Sequence, residues 1–220
     1  MRQQASNLAP RLSRRTKIVW GALLGAMTLV GGSLSAITGH GVGALQGVTL
    51  SPLTSLSGPS TIESVFRTNA PLDQERWASI VIHHSGSPAG SPASLDEQHR
   101  SMGLAGLGYH FVIGNGVGMS DGEIHVGRRW LEQLPGAHVA GVQGDHYNRT
   151  SVGVCLVGNG DRRRFTDAQI QGLAELTAAL ARELDIPADR ILLHSDLAST
   201  RSPGAFFPEA RFREMVVLAP

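Results

Sequence analysis

The sequence predicts an α/β fold: a single domain with a central mixed β-sheet flanked by helices, preceded by an N-terminal transmembrane or signal segment. Three observations lead there. Short apolar runs of strand length are interleaved with segments of helical periodicity from residue 77 onward, and such mixtures pack helices on the faces of one sheet. Hydrophobic residues make up 41% of the 220, enough to build a core, and the length suits one ordinary domain with an appendage. Residues 18–38, IVWGALLGAMTLVGGSLSAIT, carry no charge and are mostly apolar, whereas nothing comparable follows.

Taken in chain order, residues 1–38 read as the signal peptide or membrane anchor. About 20 helical residues span a hydrocarbon core of roughly 30 Å. The five positive charges of residues 1–17, with no acid among them, would hold the N-terminus inside and send the rest outward. Two forms remain open: an uncleaved anchor, or a signal cleaved near the small residues Ser33 to Ala36. Ser13-Arg14-Arg15 resembles a twin-arginine signal, although Lys17 stands where that signal prefers an apolar residue. Residues 39–72 are rich in Gly, Ser, Thr and Pro and read as a linker, with a short docked element at 62–66. The remaining residues, 73–220, form the domain.

Within the domain, 77–83 reads as a buried strand ending on a histidine. Ser94 and Glu97 are spaced as a capping box, which predicts a helix over 95–102. Strands follow at 109–113 and, after the Asn115-Gly116 turn, at 123–126; a fourth covers 151–157. Thr166 and Gln169 form a second capping box. Ile170, Leu173, Ala174, Thr177, Leu180, Ala181 and Leu184 then recur at helical spacing, and Pro187 follows the end. A short strand at 190–193 leads to His194. Pro208 opens a last helix with Phe212, Met215 and Val216 on its buried side.

The formal net charge of +1 is uneven: beyond residue 17 there are 14 basic and 18 acidic residues, so nothing in the domain points to nucleic acid. The single cysteine, Cys155, lies in a strand and reads as a small core residue that can form no intrachain disulfide. Histidine is more informative. Eight of the nine fall between His83 and His194, and these two end predicted strands, which are rigid places from which to aim a ligand. Imidazole suits zinc, and a catalytic zinc takes three protein ligands and an open position. From spacing alone, two strand-end histidines are equally readable as hydrogen-bonded structural residues.

The stretches IVIHHSG (80–86), GLGYHFVIGNG (106–116), GAHVAG (136–141), NRTSVGVCLVGN (148–159), FTDAQIQGL (165–173) and HSDLASTRSPG (194–204) stand in an order and spacing that resemble a known family. It is the peptidoglycan amidase family that includes phage amidase-type lysozymes and the peptidoglycan recognition proteins. The resemblance implies hydrolysis, with zinc as cofactor, of the amide joining N-acetylmuramic acid to L-alanine. It implies zinc ligands at His83, His194 and Ser202, catalytic roles for Tyr109 and Thr200, and a substrate groove touched by His138 and Asn148; Arg128 and Trp130 fall where the groove wall lies and read equally as contacts to sugar or peptide or as packing residues. Peptidoglycan is the expected partner, the chain is expected to act as a monomer, and an exported, envelope location follows from the N-terminal segment. His84 and His110 alternate to the opposite strand face from the key residues and read as supports behind the site or as packing residues; His99 reads as structural, and His125 and His146 as exposed. The run Arg162-Arg163-Arg164 reads as a solvated turn.

Ser202 departs from the pattern. The family places Cys or Asp before Pro-Gly, and a neutral hydroxyl is a poorer zinc donor than thiolate or carboxylate. In the recognition-protein branch, Ser at this position goes with binding peptidoglycan without cutting it. Thr200 occupies a position that is Lys or Thr in active members. A non-catalytic peptidoglycan-binding module is therefore the alternative, and Asp196 is a substitute ligand if its loop bends back.

Overall fold

The computed structural model describes residues 47–50 and 61–219. The expected signal or anchor at 1–38 lies outside the described residues, and among those described no helix is long and apolar enough to cross a membrane.

Six strands form one mixed sheet: β1 (Gly47–Leu50), β2 (Ser79–His84), β3 (Phe111–Ile113), β4 (Ile124–Gly127), β5 (Ser151–Leu156) and β6 (Ile191–Leu193), in the order β1-β4-β3-β5-β2-β6. The strands β3, β5, β2 and β6 run parallel, while β4 is antiparallel to both β3 and β1. The helices are α1 (Pro92–Ser101), α2 (Arg128–Leu131), α3 (Gly144–Thr150), α4 (Asp167–Glu183) and α5 (Glu209–Leu218). The segment expected as a linker contributes two of these pieces: β1 pairs with β4, and a 3-10 turn at Thr61–Phe66 packs Val65 into the core. Backbone pairing of β1, which leaves no periodic side-chain signal in Gly-Val-Thr-Leu, is what the composition of 39–72 hid.

The main core lies on one sheet face. Ile80 and Ile82, Val152, Val154 and Leu156, and Phe111 and Ile113 point there, against Ile170, Leu173 and Leu180 of α4 and Phe212 of α5. The α4 boundary follows its sequence signal: Thr166 Oγ1 accepts from Gln169 N–H, and the Gln169 side chain takes the Thr166 N–H in return. Gln169 is itself buried, and its amide donates to the carbonyls of Ile113 and Val157, satisfying the ends of β3 and β5. At α1 the expected box is displaced by one turn. Ser91 is the N-cap and Ser94 the reciprocal partner, because Pro92, with no N–H to satisfy, takes the first helical position.

The opposite face carries a smaller cluster of Leu95 from α1 with Val112, Met119, Cys155 and Val157. Cys155 is buried, as its strand setting implies, whereas His125, expected at the surface, is only 5% exposed on β4. The pairing of β4 with β1 on one side and β3 on the other makes it an interior strand.

Burial lowers the His125 pKa to about 4. Folding therefore favours its neutral form. The unfolded chain takes up the proton below about 6.5, so the stability His125 contributes is whole above that value and is lost as pH falls towards 4. His125→Gln should flatten the fall in urea midpoint between pH 6.5 and 4, by the equivalent of about 1–3 kcal/mol. An unchanged pH slope would show that His125 is protonated in the fold.

Candidate functional site

The parallel register brings the two strand-end histidines together. Ile82 of β2 pairs with Leu193 of β6, so His83 and His194 follow at the same level on neighbouring strands. Their ring centroids are 4.3 Å apart. His83 also pairs across β5 with Cys155, which places it on the thinner face of the sheet.

His138 arrives from the loop before α3. Its ring lies over β5, where Gly153 interrupts a run of valines. A Cβ at Gly153 or at Gly136 would overlap the imidazole, so two glycines form its seat. Asn148 holds the loop down: its Oδ1 accepts from the N–H groups of His138 (2.8 Å) and Val139 (2.9 Å), and its Nδ2 donates to the Val139 carbonyl (2.8 Å).

The hydrogen-bond pattern assigns the tautomers. His138 Nε2 is 3.4 Å from the Ser151 carbonyl, which only accepts, so Nε2 carries the proton and Nδ1 is the acceptor. His83 Nε2, 3.0 Å from His138 Nδ1, is then the donor. In the neutral ring this leaves the lone pair of His83 on Nδ1. On His194, Nε2 is buried with no partner, an orphan of the kind that calls for explanation.

The cluster is held neutral. Burial pushes His83 well below the ordinary histidine range, and the neighbouring imidazoles of His138 and His194 push the same way. Burial takes His138 down to about 3 and lowers His194. Neutral imidazole is the form that binds metal. Tyr109 leans on His83 with centroids 5.2 Å apart and on His99 at 5.1 Å. Burial raises the Tyr109 pKa well above the usual value, and the neighbouring Cys155 thiol pushes the same way, so the hydroxyl stays protonated. His99 accepts from the Gly108 N–H through Nδ1 (2.8 Å), fixing the segment that carries Tyr109.

Ser202 is 5% exposed, and its Oγ accepts from the His84 N–H at 3.0 Å. The Thr200 hydroxyl accepts from the Ser202 N–H (3.2 Å), so it holds the same loop. His84 Nδ1 sits between the Pro203 carbonyl (2.7 Å) and the Gly160 N–H (3.1 Å). Asp196 is exposed and its carboxylate accepts from Leu193 N–H (2.8 Å), capping its own turn. Among the described residues no three His, Cys, Asp or Glu side chains converge on a metal position.

Of the residues expected in the groove, Trp130 belongs to the core. It is fully buried against Phe111 and Trp77, and its indole N–H donates to the Val65 carbonyl (2.6 Å), so no surface is left for sugar or peptide. Asn148 spends its amide on the backbone of the His138 loop and positions it. Arg128 is exposed and pairs with Glu132 at 2.9 Å. His110 is a packing residue as expected: Nδ1 accepts from Gly153 N–H (2.9 Å), and Nε2 donates to the Leu134 carbonyl (3.1 Å). The seat at Gly136 and Gly153 was not anticipated, although a glycine inside a valine-rich strand is a sign of close approach.

A profile of the N-acetylmuramoyl-L-alanine amidase family matches residues 73–205. The chain belongs to this family. The endolysin of Klebsiella phage KP32 is 32% identical over 138 residues, 59% of this chain and 82% of that protein. Peptidoglycan-recognition protein SC2 of Drosophila melanogaster is 30% identical over 134 residues, 56% and 66% of the two chains. Among solved structures, the endolysin amidase LysCS from Clostridium intestinale URNW aligns with a TM-score of 0.55 at 27% identity, covering 70% of this chain and 91% of that one.

The amidase-family site thus rests on the fit of one imidazole over Gly153. Gly153→Ala should lower the urea midpoint by the equivalent of about 1–3 kcal/mol, the cost of overpacking. Adding His138→Ala should recover part of that loss, because the clash and the ring go together. Strictly additive effects would mean the two residues do not meet.

Proposed function

We propose that this domain hydrolyses the amide between N-acetylmuramic acid and L-alanine of peptidoglycan with zinc held by His83 and His194. One observation carries the reading: two neutral imidazoles stand 4.3 Å apart in a chain of the amidase family, and one of them presents a buried nitrogen without a protein partner. The donor set fits the metal at those two positions. His83 would bind through Nδ1 while its Nε2–H is held by His138, which is the usual arrangement of a ligating histidine and its outer partner. Bound there, zinc supplies a Lewis acid and an activated water at neutral pH. The protonated Tyr109 hydroxyl donates to the carbonyl oxygen as negative charge develops on it. Both ring nitrogens of His138 are engaged, so its part is to orient His83, and the proton for the leaving amine comes by way of Tyr109.

Ser202 supports a second reading, in which the domain binds peptidoglycan without cutting it. Its hydroxyl is neutral and already accepts the His84 N–H, so it offers the metal little. The names of the relatives allow both readings, since they include an endolysin and a recognition protein. Export and attachment to the envelope rest on the basic residues of 1–17 ahead of the apolar run at 18–38, and both suit a wall substrate. A monomer suffices, because every residue invoked comes from one chain.

Ser202→Cys puts a thiolate of similar size at the third position. It should tighten zinc binding by at least about 10–100-fold, the range that outer-shell changes alone produce, in a chelator competition. It should also raise release of peptide from muropeptide, and His83→Ala should abolish both. Unchanged zinc affinity in Ser202→Cys would mean that Ser202 does not face the metal. Tight zinc binding and cutting by the parent would mean that another group completes the site.

Tyr109→Phe keeps the ring and removes the donor. It should cut the turnover number about 10²–10³-fold with zinc affinity unchanged. Full turnover in Tyr109→Phe would remove the hydroxyl from the chemistry.

A further inference from the structure

The loop from β5 to α4 and the loops leaving β2 and β3 enclose a cavity of about 390 Å³ at the carboxyl ends of the parallel strands. In open sheets with parallel strands, this edge is where ligands settle. The residues of the zinc and Tyr109 site are absent from its walls. Its floor is apolar, formed by Pro88, Val117, Val157 and Phe165.

Arg162, Arg163 and Arg164 also line it, and no acidic residue does. The turn that presents them is fixed, because the N–H groups of Arg162 and Arg163 both bond to the Asn159 carbonyl, at 2.9 and 3.0 Å. All three side chains are exposed. The nearest acids in sequence are engaged elsewhere: Asp161 pairs with Arg201 at 3.1 Å, and Asp167 pairs with Arg211 at 2.7 Å. Asp121, across the loop, accepts from the Thr166 hydroxyl at 2.6 Å. Among the described residues none of the three guanidinium groups takes part in an ion pair.

We infer that this cavity binds a multiply charged phosphate group whose carrier lies on the apolar floor. A solvated turn needs no cavity, whereas three arginines with no acid among the lining residues give this one a positive potential that favours an anion. A single carboxylate would be satisfied by one arginine. A phosphate or diphosphate offers enough oxygens for several guanidinium groups, which bind it through paired N–H donors. The apolar floor selects a carrier over the free ion. In an envelope protein that carrier is a phosphorylated glycan or a lipid headgroup, two sources of the same chemistry.

The test is calorimetric titration of the full chain with inorganic pyrophosphate, glucose 1-phosphate and glycerol 3-phosphate. Pyrophosphate should bind with a Kd of ~1 mM or tighter, more weakly as salt rises. The Arg162→Gln, Arg163→Gln, Arg164→Gln triple variant should lose at least about tenfold in affinity. Each single variant should lose part of it, which keeps the test decisive if the triple variant fails to fold. Tighter binding of glucose 1-phosphate points to a glycan, and of glycerol 3-phosphate to a lipid. His83→Ala should bind pyrophosphate as the parent does, which separates this cavity from the amidase site. No pyrophosphate binding by the parent, equal binding by the arginine variants, or loss in His83→Ala would each overturn the inference.

Discussion

The hydrogen bond from His83 to His138 is the contact on which the site depends. It settles which nitrogen of His83 keeps a lone pair, and it does so only because His138 is itself pinned at Nε2 by a carbonyl of the sheet. Everything that seats His138 therefore acts on His83 at one remove: the glycines at 136 and 153, and Asn148 holding the loop. The sheet supplies the rest. A parallel register places His194 beside His83 with no loop freedom between them, because both follow directly on paired strand residues. A buried group of neutral imidazoles of this kind is costly to assemble unless some partner uses the lone pairs, and the orphan Nε2 of His194 is the visible remainder of that cost.

Much of this was legible beforehand, and for identifiable reasons. The α4 helix announces itself through a capping box and a long apolar repeat, both local signals, and its structure keeps both. The strand-end histidines were legible because strands this apolar are buried and must stop somewhere. Trp130 was not. An aromatic beside arginines reads equally as a groove wall or as core, and only the third dimension shows Val65 supplying its indole with an acceptor. Asn148 spends its amide on the backbone of the His138 loop, and a sequence cannot say whether an amide faces ligand or backbone. His125 read as exposed because the strand that covers one side of β4 comes from a segment with the composition of a linker. At α1, a proline two residues upstream of the expected cap decided the start, a local rule that outranked the spacing of Ser94 and Glu97.

Ser202 shows how a change of one atom type alters a site without disturbing its frame. The loop that carries it is held by Thr200, by the His84 N–H and by the bond from Ser195 N–H to its carbonyl at 2.8 Å. These contacts use the hydroxyl and the backbone, and they serve folding whether or not a metal is bound. The position therefore has two roles in tension. A hydroxyl is better than a thiol at holding the loop, since oxygen is the stronger acceptor, while a thiolate is better at holding zinc. The chain has the first.

His110 gives the sheet an unusual feature. One step before β3 begins, its N–H bonds to the Gly153 carbonyl at 2.9 Å, and its ring nitrogen, instead of a backbone carbonyl, receives the Gly153 N–H. A side chain has taken a rung of the ladder. The lifetime of that one amide proton against deuterium then depends on an imidazole staying in place, while the amides beside it depend on the strands. The middle of the sheet thus carries its own local clock, set by a residue outside the strands that flank it.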